Sequence, residues 1–273
     1  MLGLEKRLAL DAAGGEVHCI LAGSQVEHPE LSAAWEMVKA RGRQVGDSTC
    51  NCVYVEPAVT EVLHHYSKSE LAPNAIKNSE DLKKLLQGIG PTGNALVVVP
   101  VCAGGHWTVL FFSRSSTDTD SWQATYYDSL KSGSASCKEK AEFLMQLVGE
   151  LLQEVQTGTV PSALPEMTVR SVQTDGITCG FHVVARMEEA YCEYRGEGKT
   201  GCYKSVGDIR KQLNSFLNTL QIFRAQQEKA ASAGKGPEPA APGGKGAASS
   251  SAAAVPMGAP GPILVILGIK LCF

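Results

Sequence analysis

Residues 95–101, Ala-Leu-Val-Val-Val-Pro-Val, carry no polar side chain. In a strand, alternate side chains point to opposite sides, so a run this uniformly apolar predicts a strand buried on both faces. The rest of the chain must then supply apolar cover for two faces of one sheet. The sequence that follows continues the sheet. A loop at 102–105 leads to a second strand, His106-Trp-Thr-Val-Leu-Phe-Phe112, and beyond a polar turn region at 113–121, Trp122–Asp128 reads as a third. Strands joined by short polar loops are most simply antiparallel neighbours.

The cover comes from amphipathic helices. Pro29–Arg41 places Leu31, Ala34, Trp35 and Val38 on one face, and Pro57–Ser67 does the same with Val59, Val62, Leu63 and Tyr66. Ser79 can cap a short helix, Glu80–Gln87, that ends at Gly88. Lys138–Gln156 is the clearest helix, with Phe143, Leu144, Leu147, Val148, Leu151, Leu152 and Val155 in one broad stripe. Asp208–Gln227 turns Ile209, Leu213, Phe216, Leu217 and Leu220 inward. Glu16–Ala22 and Met167–Gln173 read as short strands. The expectation is an α+β fold: a mixed, largely antiparallel sheet with helices around it.

Residues 28–228 are expected to form one domain, preceded by a segment, 1–27, with no clear pattern. From 229 the composition turns to Ala, Gly, Pro, Ser and Lys, which cannot bury enough surface to offset the entropy of ordering, so 229–273 reads as a disordered tail. Its apolar end, Ile263–Phe273, is too short to cross a bilayer, and no membrane span is expected elsewhere. Net charge is −3 at 19% charged residues, which argues against a nucleic-acid or anionic-membrane binder. The 9 cysteines are odd in number and follow no repeated spacing, and Met1–Leu8 lacks a signal-peptide layout. A reducing compartment, cytoplasm or nucleus, is the expectation. Cys50-x-Cys52 with His64-His65 has the residue types of a zinc site. That spacing is no standard pair, and adjacent histidines on a helix face different ways, so neither a metal nor a cofactor is implied.

Chemistry concentrates at the junctions of these elements. In Gln173–His182, the turn dipeptide Asp175-Gly176 precedes Cys179, which opens a helix with Val184, Met187 and Tyr191 on its apolar stripe. Unpaired N–H groups and the positive end of the dipole at such a helix start favour a thiolate. Gly180 leaves room for another chain to approach. A thiolate nucleophile needs a base, a group that orients the base, and donors for the oxyanion. His106 begins one strand and Asp128 ends its neighbour, positions that can bring imidazole and carboxylate together. Gln173, across the turn from Cys179, can supply an oxyanion donor. His182, one helical turn from Cys179, is a rival base.

His106-Trp107, Tyr127-Asp128-Ser129-Leu130 and Gln173-x-Asp175-Gly176-x-x-Cys179-Gly180 resemble the signature of the ubiquitin-like-protein-specific cysteine proteases, the Ulp/SENP type that act on SUMO. Val98-Val-Pro-Val101 is similar to that family's strand before the histidine, and the resemblance spans residues 55–220 with the order His, Asp, Gln, Cys. It implies a papain-like fold in the broad sense, with His106 as general base, Asp128 orienting it, Cys179 as nucleophile and Gln173 as oxyanion donor. Trp107 matches a tryptophan over a narrow tunnel for a Gly-Gly tail. The implied partner is a ubiquitin-like modifier, SUMO first, with its protein conjugates, acted on by a monomer without cofactor. Two departures stand out: Thr178 replaces the usual acidic or small polar residue before the cysteine, and no Trp-Leu-x-Asp motif is recognisable near the start, where Trp35 has unlike neighbours. Two other functions fit the same residues: an acetyltransferase with the same His-acid-Cys order, and a domain that binds a modifier without cleaving it.

Overall fold

The structure, a computed structural model, describes residues 19–42, 51–67, 73–168, 173–196 and 205–233. The elements are α1 (His28–Gly42), β1 (Cys52–Tyr54), α2 (Pro57–Ser67), α3 (Pro73–Gln87), β2 (Ala95–Ala103), β3 (His106–Ser115), β4 (Asp118–Tyr127), α4 (Ala135–Val155), β5 (Met167–Thr168), α5 (Cys179–Tyr194) and α6 (Val206–Ala233). The strands form one five-stranded sheet in chain order. β2, β3 and β4 run antiparallel, while β1 and β5 add parallel at the two edges.

The apolar run at 95–101 does divide between two cores. Leu96 and Val98 join Trp107, Val109, Phe111 and Tyr127 beneath α1, α5 and α6. Val97, Val99 and Val101 join Leu110, Phe112 and Tyr126 beneath α2, α3 and α4. Pro100 sits inside β2 without disrupting it. Leu96 and Val98 bond towards β1, through Leu96 N–H to Asn51 O and Val55 N–H to Val98 O, both 2.9 Å. Pro100 faces the same way, past the last residue of β1, so its missing N–H has no partner to disappoint.

Several boundaries differ from the sequence expectation, each for a local reason. Residues 19–22 form no strand, because Asn214 of α6 takes their backbone groups: its Oδ1 accepts from Ile20 N–H at 2.8 Å and its Nδ2 donates to Ile20 O at 2.9 Å. Residues 16–18 lie outside the described residues. β1 is too short to show a period and exists because β2 offers it an edge. α3 starts at Pro73 rather than near Ser79, with proline in the first turn where its lost N–H costs nothing. The polar region at 113–121 is mostly strand: β3 and β4 extend into it, with a register shift between Ser113 and Ser115. β5 is shorter than the strand expected at Met167–Gln173; 169–172 lie outside the described residues, and Gln173 is in a loop. α6 continues past the boundary at 228 to Ala233, and the expected tail from 234 lies outside the described residues. Among the described residues, no helix is long and apolar enough to cross a membrane.

The two-sided core makes a direct prediction. Leu144→Ala, at a site with no exposed surface, lowers unfolding free energy by about 2–5 kcal/mol. Leu21→Ala, at a side chain 71% exposed, changes it by less than about 0.5 kcal/mol. Urea denaturation followed by tryptophan fluorescence reads both.

Candidate active site

The turn between β2 and β3 is the first constraint on the site. Ala103 and His106 are paired across it, leaving Gly104 (φ +60°) and Gly105 (φ +77°) as a two-residue hairpin loop. Such loops match strand twist when both central residues have positive φ, which glycine adopts without a Cβ clash. His106 is thereby the first residue of β3. From behind, the buried Cys137 thiol of α4 donates to His106 O at 3.3 Å and sits 3.6 Å from Ala103 O.

Asp128 follows the last residue of β4 and has no exposed surface. Its Oδ1 accepts from His106 Nε2 at 2.7 Å and from Leu130 N–H at 2.8 Å, and its Oδ2 accepts from Ser134 N–H at 3.0 Å. The carboxylate only accepts, so in the neutral ring Nε2 carries the proton and Nδ1 is left for the Cys179 thiol. Burial opposes charge on this imidazole. Hydrogen bonds to Asp128 and Cys179, with the charges of both groups, outweigh burial and raise its pKa to about 9.

Cys179 is the first residue of α5 and is almost wholly buried. Asp175 builds the loop before it. Its Oδ1 accepts from Ile177 N–H at 2.9 Å, Thr178 N–H at 2.8 Å and Thr178 Oγ1 at 2.8 Å. These bonds, led by the one from Ile177, hold the carboxyl below its ordinary pKa. Thr178 thus ties the loop together from the place where the resembled family carries an acidic or small polar residue.

Gln173 is joined to the residue after Asp128. Its N–H donates to Ser129 O at 2.9 Å, and its Oε1 accepts from the buried Ser129 hydroxyl at 2.8 Å. Its Nε2 donates to Asp175 O. The Gln173 side chain is also among the donors that hold the Asp175 carboxyl below its ordinary pKa. Ser129 was not singled out from the sequence, although it stands within the Tyr127–Leu130 motif.

Trp107 is buried. Its indole N–H donates to Val26 O at 2.7 Å, and the His28 ring meets it edge-on at 5.1 Å. A Cβ on Gly180 would lie 2.5 Å from Val26 Cβ and 3.4 Å from Trp107 Cδ1. The chain that Gly180 admits is therefore the segment before α1, which also reaches the cysteine loop through Gln25 Nε2 to Gly176 O at 3.2 Å. Trp35 serves elsewhere: it stacks on Tyr54 at 5.5 Å in the core under α1.

The remaining candidates separate from this cluster. The imidazole that meets Asp128 is His106; the ring of His182 is lowered in pKa by burial. Cys52 is buried in β1 and His64 packs edge-on against Phe143 at 5.6 Å, while Cys50 lies outside the described residues. Among the described residues, the potential metal ligands brought together are instead His28, Glu61 and Cys102.

No family model and no curated protein matches the chain. Solved structures do. A de-sumoylating protease matches with a TM-score of 0.51 at 13% identity, covering 78% of this chain and 88% of its own. The C-terminal Ulp1 protease domain in complex with Smt3, the yeast ortholog of SUMO, matches with a TM-score of 0.49 at 13% identity, over 80% of this chain and 95% of its own. The Xanthomonas campestris effector XopD bound to ubiquitin matches with a TM-score of 0.48 at 19% identity, over 73% and 95%. The likeness to the first is one of fold, and the α+β, papain-like architecture is shared with it.

The contact at Gly180 is testable. Gly180→Ala drives a Cβ into Val26 and destabilises the protein by about 1–3 kcal/mol. Val26→Gly in the same chain, which removes the Cβ that the new methyl meets, recovers part of that loss, read as a positive coupling in a double-mutant cycle of thermal unfolding.

Proposed function

We propose that this protein is a thiol peptidase that cleaves after the C-terminal Gly-Gly of a ubiquitin-like modifier, SUMO being the first candidate. The observation that carries the reading is the His106 imidazole, bonded to a buried Asp128 at 2.7 Å, with the Cys179 thiol among the groups that raise its pKa. The fold shared with a de-sumoylating protease supports it.

The chemistry follows from the geometry. The His106 imidazolium stabilises negative charge on the Cys179 sulfur, as does the start of α5. The sulfur attacks the carbonyl carbon of the terminal glycine. The developing oxyanion is met by the Gln173 amide, turned from Asp175, and by the Cys179 N–H, which has no intrahelical acceptor at a helix start. His106 gives its proton to the leaving amine, and a thioester remains on Cys179. Water then attacks that thioester with His106 as base, releasing the modifier's carboxylate and restoring the thiol. Asp128 keeps the ring in one tautomer throughout. Trp107, Val26 and Gly180 pack closely together at the start of α5. The role assigned to Trp107 in this proposal is to lie over a narrow path for the Gly-Gly tail, which only residues without a Cβ can follow.

A panel of fluorogenic substrates ending in Gly-Gly tests the proposal. Turnover of at least one, abolished by Cys179→Ala and nearly so by His106→Ala, is expected, with Gln173→Ala lowering kcat by about 100-fold. Acetyl-CoA turnover without labelling of Cys179 by a modifier–vinyl-sulfone probe points to the acetyltransferase instead, and modifier binding without turnover to an inert binding domain.

The pH profile is a second test. The raised His106 pKa means the imidazolium persists through neutrality, so kcat/KM falls as pH rises through about 9. Asp128→Asn removes a contribution that raises this pKa and moves the alkaline limb to lower pH.

A further inference from the structure

His28, Glu61 and Cys102 come from the start of α1, the middle of α2 and the end of β2, so no sequence motif joins them. In the fold, one ligand atom from each lies within 4.8 Å of the other two, and all three residues are half-buried. We infer that these three side chains form a binding site for one divalent cation of the zinc class, held by three protein ligands with one position open.

The donor set argues for that class. Imidazole, carboxylate and thiolate together suit a borderline-soft ion, and three protein ligands leave the fourth position of a tetrahedron to water. Zinc–ligand distances of about 2.0–2.3 Å place ligand atoms roughly 3.3–3.8 Å apart, so the cluster needs to contract by only about 1 Å. Half-buried side chains can make that movement by rotation.

The ion displaces the Cys102 thiol proton, which leaves to water as the sulfur–metal bond forms.

Among the described residues, Lys140 is the opposing charge beside the site. It is buried, and its Nζ lies 2.5 Å from Glu61 Oε1 and 2.9 Å from Cys102 O. It engages one carboxylate oxygen, so the ion takes Oε2. Ion, thiolate, carboxylate and ammonium then sum to a single positive charge, where a protonated Cys102 would leave a double one. This cost separates the site from a high-affinity structural zinc site.

The position gives the ion a consequence. His28 packs edge-on against Trp107, and Cys102 is the cross-strand partner of Trp107. An occupied site would clamp the start of α1, and the Val26 carbonyl two residues before it, onto the indole. The inference stands apart from the peptidase reading, since it concerns binding alone.

Cobalt(II) is the probe, titrated into the full chain carrying Cys179→Ala so that the His106 pair cannot compete. The expected result is a near-ultraviolet sulfur-to-cobalt band with visible bands of a four-coordinate ion, saturating at one equivalent and displaced by zinc. Adding Cys102→Ser removes the near-ultraviolet band. His28→Ala and Glu61→Gln each weaken binding more than about tenfold, since losing even an outer-shell partner costs 10–100-fold. If Cys102→Ser fails to fold, His28→Ala carries the test, at a half-buried helix start. An unchanged band in either variant, or no spectral change with cobalt and no zinc retained on dialysis, overturns the inference.

Discussion

A carboxylate without exposed surface is tolerable only when its oxygens are fully hydrogen-bonded, because an unpaired buried charge costs several kcal/mol. Asp128 meets that condition with N–H groups from three directions: a ring on β3, the backbone of its own turn, and the approach to α4. Each bond is also a positional constraint. The ring cannot rotate without losing Nε2, the turn cannot relax without losing Leu130, and α4 cannot shift its start without losing Ser134. The cluster of imidazole, acid and thiol is held less by the strength of any one bond than by the cost of leaving this acid unsatisfied.

What could be read from sequence divides along a physical line. His106, Asp128, Gln173 and Cys179 could be picked out as candidates because their side chains carry uncommon chemistry and fall where regular elements begin or end. The central strands and α4 were legible because their apolar periods are long. Val26 was not, since an aliphatic residue in a patternless segment gains meaning only from the indole it accepts from, 81 residues away. Ser129 and Cys137 were obscure for a similar reason: each acts through hydrogen bonds to partners far away in sequence. β1 and the full length of α3 were missed because their formation depends on a neighbour's edge or on packing, and propensity is a weak guide in either case.

The segment before α1 changes how the departure from the resembled family is understood. Trp35 is taken up by the core, against Tyr54 and Tyr191. The cover over Trp107 comes instead from a small branched side chain, Val26, and a backbone carbonyl. A main-chain acceptor is insensitive to which side chain the residue carries, so the indole can keep its bond while the wall beside it varies.

Ser134 does two jobs. Its hydroxyl caps α4, accepting from Cys137 N–H at 3.3 Å, and its own N–H holds Asp128. The first turn of α4, packed on the face of the sheet opposite α5, is thus wired to the acid that holds the His106 ring. Fraying of that turn would slacken the carboxylate while leaving α5 untouched. Disorder on one face of the sheet would thereby reach the orientation of an imidazole without unfolding either layer.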